Sequence, residues 1–486
     1  MRRYIVPGLM FFLTLSLIVF VLSPGCEAPA IVRAAGPQAT APQQAPAITA
    51  NPQKAAPSPA IGSPANPPDI AAVAKNTSKE SQTCIGCHTQ QATPLVVQQW
   101  AVSKHAQAGV GCYECHQATQ GRPDKFQHNG YTISVMVTPK SCANCHESEV
   151  REFEASHHAD AGQILGSLDN VLGDIIEGPA AAQNGCVKCH GSIVKVVGNG
   201  KLDPTTWPNE GIGRVNPDGS KGSCSICHSR HTFNIAIARQ PESCGYCHLG
   251  PDHPQAEIYN ESKHGVTYRT LIDQMNLGSE SWVLGKDYNV APTCDTCHMG
   301  ATTKLPSTHD VGTRLSWNLR PELAVRQPNW EARRQQMKSV CLNCHASDWV
   351  NNFYTQFDSV VVMGNDKFFG PAKDIMAALT KAGKLTATPF DAKIKWTYFE
   401  LWHHQGRRAR MGASMNGPDY VQWHGYYDVA KIFYSEFIPE AEELMPGVTK
   451  SVMDMPAHSW IKGLSPEDRK RIQEFYQKRY QQTPTQ

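Results

Sequence analysis

A mainly helical fold with little sheet follows from three features of this 486-residue sequence. Sixteen of its 17 cysteines fall into eight Cys-x-x-Cys-His motifs between Cys84 and His345. The segments between motifs are rich in Gly, Pro and Asn, as in KVVGNGKLDPTTWPNEGIGRVNPDGSKG (195–222), and read as loops and short helices. Beyond His345 the cysteines stop and amphipathic helical patterns take over.

The motifs use Cys84, Cys87 and His88; Cys112, Cys115 and His116; Cys142, Cys145 and His146; and Cys186, Cys189 and His190. They continue with Cys224, Cys227 and His228; Cys244, Cys247 and His248; Cys294, Cys297 and His298; and Cys341, Cys344 and His345. This spacing attaches c-type haem: two thiols bond the porphyrin and the adjacent histidine ligates its iron. Disulfides would not require a histidine after every second cysteine, and zinc sites pair two Cys-x-x-Cys units without that fixed histidine. Eight covalently bound haems would supply most of the core. The predicted fold class is therefore a mainly α multihaem cytochrome c, with a haem-packed core and long C-terminal helices. First cysteines lie 28, 30, 44, 38, 20, 50 and 47 residues apart, so no constant period marks a solenoid.

Four regions are expected: 1–26, 27–80, 81–350 and 351–486. Met1–Leu22 carries Arg2 and Arg3 and then an apolar run, which reads as a signal peptide or an N-terminal anchor. The chain is expected to be exported to the periplasm or an equivalent compartment, with a possible N-terminal membrane tether. Residues 27–80 are rich in Ala, Pro and Gln and read as a linker without a core. Residues 81–350 form the octahaem domain. A net charge of +2 argues against nucleic acid as a partner. In the last region, 425–445 reads as helix punctuated by Pro439 and Pro446. Ser465-Pro466-Glu467-Asp468 is a start signal, with Ser465 as cap and the acids complementing the helix dipole. Ile472, Phe475, Tyr476 and Tyr480 then share one helical face.

A low-spin haem needs a second axial ligand. Twenty histidines less the eight in motifs leave twelve. Candidates for the distal position are His105, His157 (or its neighbour His158), His231, His264 and His309, with His128 and His404 of the pair His403-His404 weaker. Twelve spare histidines permit eight bis-histidine haems, or seven with one iron open to substrate. His253 differs from these. It follows Asp252 between Pro251 and Pro254, five residues beyond His248. A rigid Asp–His pair suits proton transfer, because histidine titrates near neutral pH; ligation by His253 is the competing reading.

The eight motifs and the segments GIGRVNPDGSKGSCSICHSRHTF, CGYCHLGPDHPQAEIYNESKHG and WHHQGRRARMGASMNGPDYVQWHGYYDVAKIF resemble the octahaem hydroxylamine oxidoreductase family over residues 80 to 480. That family includes hydrazine dehydrogenases and reductive relatives. The resemblance implies a mainly helical homotrimer joined by C-terminal helices. It implies that the fourth motif, Cys186, Cys189 and His190, carries the catalytic haem and that Asp252 and His253 handle protons above it. In oxidising members a tyrosine from a neighbouring subunit is bonded to the catalytic porphyrin. Tyr420 matches that position, with Tyr426 and Tyr427 as alternatives.

The expected activity is oxidation of hydroxylamine, or a similar small nitrogen compound such as hydrazine. Electrons would pass to a redox partner, a small cytochrome or a quinone-linked protein. The reverse activity, reduction of nitrite, nitric oxide or hydroxylamine, uses the same scaffold. A non-enzymatic electron conduit is the third reading.

Overall fold

The computed structural model describes residues 69–481. The expected signal or anchor segment and most of the linker lie outside the described residues, and among those described no helix is long and apolar enough to cross a membrane. The architecture is mainly helical. Its sheet consists of three two-stranded antiparallel hairpins, among them Val196–Gly198 with Lys201–Leu202 inside the Gly/Asn-rich stretch.

Haem-motif residues ride on short helices held by local caps. Ser78 accepts from the Ser81 amide to start Lys79–Gln90, which carries Cys84, Cys87 and His88. Thr293 caps Cys294–His298 in the same way. Such caps satisfy amides that a short helix leaves without intrahelical partners. The fourth motif forms Cys186–His190 and leaves it through Gly191, at φ +81. A side chain on Gly191 would collide with the backbone of Gly213 and Arg214. That close approach lets the Ile212 amide donate to the Cys189 carbonyl at 2.9 Å and the Gly213 amide to the His190 carbonyl at 3.1 Å. The GIGR segment thus clamps this motif.

The C-terminal region builds long helices from joined pieces. Ser347–Gly364 runs through the wider turn Asn365–Phe369 into Gly370–Lys381. Lys393–Phe399 continues through Glu400–Gly406 into Arg407–Ser414. Phe369, Leu379, Leu401, Val429, Phe433 and Phe437 are fully buried where these helices meet. The helix expected over 425–445 does run through Pro439. The π turn Phe433–Phe437 immediately precedes it and relieves the clash a proline makes with the carbonyl four residues back, so Ile438–Leu444 continues. Pro446 does fall just past the end. The Pro466–Gln481 helix starts as expected, with Ser465 Oγ accepting from the Asp468 amide at 3.0 Å. Ile472 and Phe475 are exposed on this chain.

The helix Ser347–Gly364 is tied to the haem-motif region by one carboxylate. Asp358 accepts from Arg334 at 2.6 and 2.7 Å, from Arg326 at 2.8 Å and from the Trp317 indole at 2.8 Å. Burial works against the charge, but these hydrogen bonds outweigh it and hold the Asp358 carboxyl down at about 2. A depressed folded-state value means the contribution is present above pH about 4 and is lost as pH falls towards 2. Asp358→Asn is expected to cost about 3 kcal/mol at pH 7, because it leaves the nearly buried Arg334 without its counter-charge. The difference from the native chain should narrow at pH 3 in denaturant melts; an unchanged midpoint at pH 7 would refute the account.

Candidate functional site

All sixteen motif cysteines are free thiols, so the disulfide reading fails. The motif histidines show what the cysteines serve. An ion bound by two opposed imidazoles at about 2.0 Å each puts the ring centroids roughly 6–6.5 Å apart. Five motif histidines face a second histidine at that spacing. They are His88 with His128 (6.2 Å), His146 with His105 (6.2 Å), His228 with His309 (6.4 Å), His248 with His158 (6.1 Å) and His345 with His264 (6.1 Å). His231 lies close enough to His116 to feel its charge. Burial pushes His158 and His228 down to about 4 and His248 to about 3. The neutral ring that a metal ligand requires is therefore the stable form.

His105, His128, His264 and His309 each stand opposite a motif histidine, and two of the expected positions do not. At Ser156-His157-His158 it is His158 that faces a motif histidine, because Ser156 Oγ accepts from the His158 amide and turns the chain there. His157 is exposed, beside Arg320 and Asp310. His404 faces no motif histidine at this spacing; its ring packs edge-on against Phe399 and His403.

Neighbouring thiols order the motifs in space. Cys84 is felt at Cys112, Cys145 at Cys115, Cys224 at Cys142, Cys244 at Cys227, Cys294 at Cys244 and Cys341 at Cys297. That gives a succession of motifs one, two, three, five, six, seven and eight. The fourth joins it from the side, through Cys189 beside Cys247.

The fourth motif is also set apart by its surroundings. His190 has no histidine ring across from it among the pairs above. The charges felt at its ring are those of His253, Asp169 and Asp252, and burial, helped by His253, holds it neutral. A cleft lined by Ile164, Asn170, Ala182, Cys186, Val187 and Gly191 opens beside it. The two unpaired cysteines and the neutral histidine are the donor set that a covalently held haem needs. His253 Nδ1 donates to Asp252 Oδ1 at 2.5 Å and Nε2 donates to the Cys247 carbonyl at 2.9 Å. The His253 ring also lies 6.3 Å from that of His248, edge-on, but both its nitrogens are engaged, one by a carboxylate and one by a carbonyl. Burial disfavours the imidazolium, but the bond and charge of Asp252 prevail and raise His253 above its ordinary value. The bond to Asp252 thus favours the imidazolium form of His253.

Three further residues complete the cluster. Arg407 Nη1 donates to Asp252 Oδ2 at 3.0 Å, and its Nε donates to the Arg320 carbonyl at 2.7 Å. His403 Nε2 lies 2.7 Å from Asp169 Oδ1. Burial opposes the charge on Asp252 and Asp169, but bonds from His253 and His403 respectively, with Arg407 nearby, hold both carboxyls below their usual range. His403 and Arg407 lie one helical turn apart around the junction of Glu400–Gly406 with Arg407–Ser414, which presents both to one place. The only sequence signal for them was the charged run WHHQGRRAR.

The tyrosine candidates separate by burial. Tyr426 is a core residue whose hydroxyl donates to the Val360 carbonyl at 2.9 Å, against Phe368. Tyr427 is 53% exposed beside Trp423. Tyr420 is half-buried, 5.8 Å from the His424 ring, which itself bonds Asp419.

Comparison with known proteins agrees with this geometry. Residues 213–391 match the family of the seven times multi-haem cytochrome CxxCH, 138–249 match cytochrome c3, and 65–117 match cytochrome c554 and c-prime. A solved structure described as a hypothetical multiheme protein is 25% identical and superposes with a TM-score of 0.68, covering 79% of this chain and 98% of that one. The fold is that of a multihaem cytochrome c. Covalently bound c-type haems follow from it. A reducing HAO-like protein complex from Kuenenia stuttgartiensis shares this multihaem cytochrome c fold at 19% identity and TM-score 0.55, over 80% of this chain and 89% of its own. A probable nitrite reductase-hydroxylamine oxidoreductase fusion protein from the same organism is 27% identical over 254 residues, 44% of this chain. The match spans about a quarter of that relative's length.

Proposed function

We propose that this multihaem cytochrome c is an exported oxidoreductase that oxidises hydroxylamine, or a similar small nitrogen compound, at the haem of Cys186, Cys189 and His190. The observation that carries the reading is the surroundings of His190: an acid–base cluster where five other motif histidines face a second ring. A haem bound there would supply an iron to bind nitrogen and exchange electrons one at a time. The chain's own residues do the rest. His190 offers a neutral nitrogen, held by the GIGR clamp. Asp252 and Arg407 fix the His253 ring, and His253 exchanges protons with the substrate. The succession of motifs gives electrons a continuous path to a redox partner, entered from the side at Cys247. Tyr420 remains the candidate for the porphyrin bond.

One observation favours the reverse direction as a second reading: Asp252 favours the protonated form of His253, and reduction of nitrite consumes protons. The two directions carry opposite pH dependence. Oxidation requires the pair to shed its proton first, so its rate should rise as pH climbs through the elevated His253 value, above the ordinary 6.5. Reduction should fall over the same interval. The test is steady-state turnover of hydroxylamine with an artificial electron acceptor and of nitrite with a low-potential donor, across pH 6 to 9 (about the range histidine spans when perturbed). Absence of turnover in both assays would leave only the conduit.

A further inference from the structure

Gln255 ends in a buried acceptor without a partner. Its Nε2 donates to the Met411 sulphur at 3.2 Å, while its Oε1, shut off from solvent, has no hydrogen-bond partner. A thioether sulphur only accepts, so this contact fixes which end of the amide faces Met411. Met411 belongs to the helix Arg407–Ser414 and is buried, which keeps the amide in that orientation. A buried carbonyl oxygen left bare costs free energy unless a donor reaches it.

The donor at hand is the ring of His248. Burial and the charges of His158, His253 and His298 oppose a proton on that ring, and the side chain of Gln255 favours one. The Ala256 amide donates to the His248 carbonyl at 2.9 Å, so Gln255 sits at the backbone end of this histidine, on the Nδ1 side of its ring. The far nitrogen, Nε2, is left for iron, across which the His158 ring stands at 6.1 Å. With the Nε2 lone pair committed to a metal, the ring proton sits on Nδ1, and Nδ1 becomes a donor. Two other motif rings show the same arrangement completed. His88 Nδ1 lies 2.8 Å from Thr93 Oγ1, and His116 Nδ1 lies 2.9 Å from the Ser134 carbonyl.

We infer that Gln255 is a positioning residue for the haem of Cys244, Cys247 and His248: its Oε1 accepts the Nδ1 proton of His248 and so sets the potential of that haem. An acceptor behind a ligating imidazole makes the ring a stronger base and stabilises oxidised iron, which lowers the potential. A neutral amide does this less than a carboxylate would. The sixth motif is also where Cys189 meets Cys247, so this potential governs how readily electrons pass between the fourth haem and the row. The inference needs only the haem bound at His248 and holds whichever way the reaction runs.

The test is a potentiometric titration of the haem-loaded protein, followed by optical and electron paramagnetic resonance spectra. Native chain, Gln255→Leu and Gln255→Glu are compared at matched haem content. Gln255→Leu keeps the bulk and removes the acceptor. One haem should then be easier to reduce, its ratio of reduced to oxidised form rising about tenfold at a fixed potential, or about 59 mV for a one-electron couple. Gln255→Glu supplies a stronger acceptor and should move the same haem the opposite way. The rise with leucine is the deciding arm, because the charge of a glutamate lowers a nearby potential even without the bond. If Gln255→Leu leaves every potential unchanged or lowers one, the inference is overturned whatever Gln255→Glu does. A rise in both variants overturns it too, since a packing defect would move them alike. Should Gln255→Leu lose haem, Gln255→Met, equally neutral and closer in shape, gives the same reading.

Discussion

His253→Ala is expected to cut turnover by about 10²–10⁴-fold, the usual cost of removing a positioned proton donor or acceptor, while every low-spin haem spectrum stays as it was. The second half follows from the geometry. Both His253 nitrogens are spent, one on Asp252 and one on the Cys247 carbonyl, so no iron loses a ligand when the ring goes. His264→Ala is the control. Its ring stands 6.1 Å from His345, so its loss should change the spectrum and potential of one haem. Asp252→Asn should act in the direction of His253→Ala, by withdrawing the charge that keeps His253 protonated. A low-spin haem turning high-spin in His253→Ala would make His253 a ligand and remove the proton pair.

The contrast between these two histidines shows what the sequence could and could not yield. Motif positions were legible because covalent attachment demands contiguous residues at fixed spacing. The Asp252–His253 pair was legible for the same reason: its members are adjacent, between two prolines. Distal positions come from elsewhere in the chain, so spacing alone could not choose between His157 and His158; in the fold it is the His158 ring that stands 6.1 Å from His248. Asp169, His403 and Arg407 left almost no signal, because they meet Asp252 only in the folded chain, Arg407 from 155 residues away. It is the bond and charge of Asp252 that raise His253, against burial and the opposing charge of Arg407. The wider turn before Pro439, which lets the helix pass through it, left no mark in the sequence, because it depends on how the chain packs there.

Replacing Cys186 and Cys189 by serine is expected to remove one haem and abolish turnover, leaving the other haems in place. The native chain should carry eight covalent haems, one for each motif, when its mass is measured under denaturing conditions. The double variant should carry seven, since serine forms no thioether. The remaining seven should keep their low-spin spectra because the fourth motif is a side branch. Cys115 to Cys145, Cys142 to Cys224, Cys227 to Cys244 and Cys244 to Cys294 stay adjacent without it, and only the contact of Cys189 with Cys247 is lost. Electron transfer among the seven should therefore survive, measured as the rate at which a chemical reductant fills them. Turnover should not, because the acid–base cluster of Asp252, His253, His403 and Arg407 surrounds His190 and no other motif histidine outside the opposed pairs has such a cluster. Two results would break this account. Fewer than eight haems on the native chain would void the count. Turnover by the seven-haem variant at the native rate would place the chemistry at another motif.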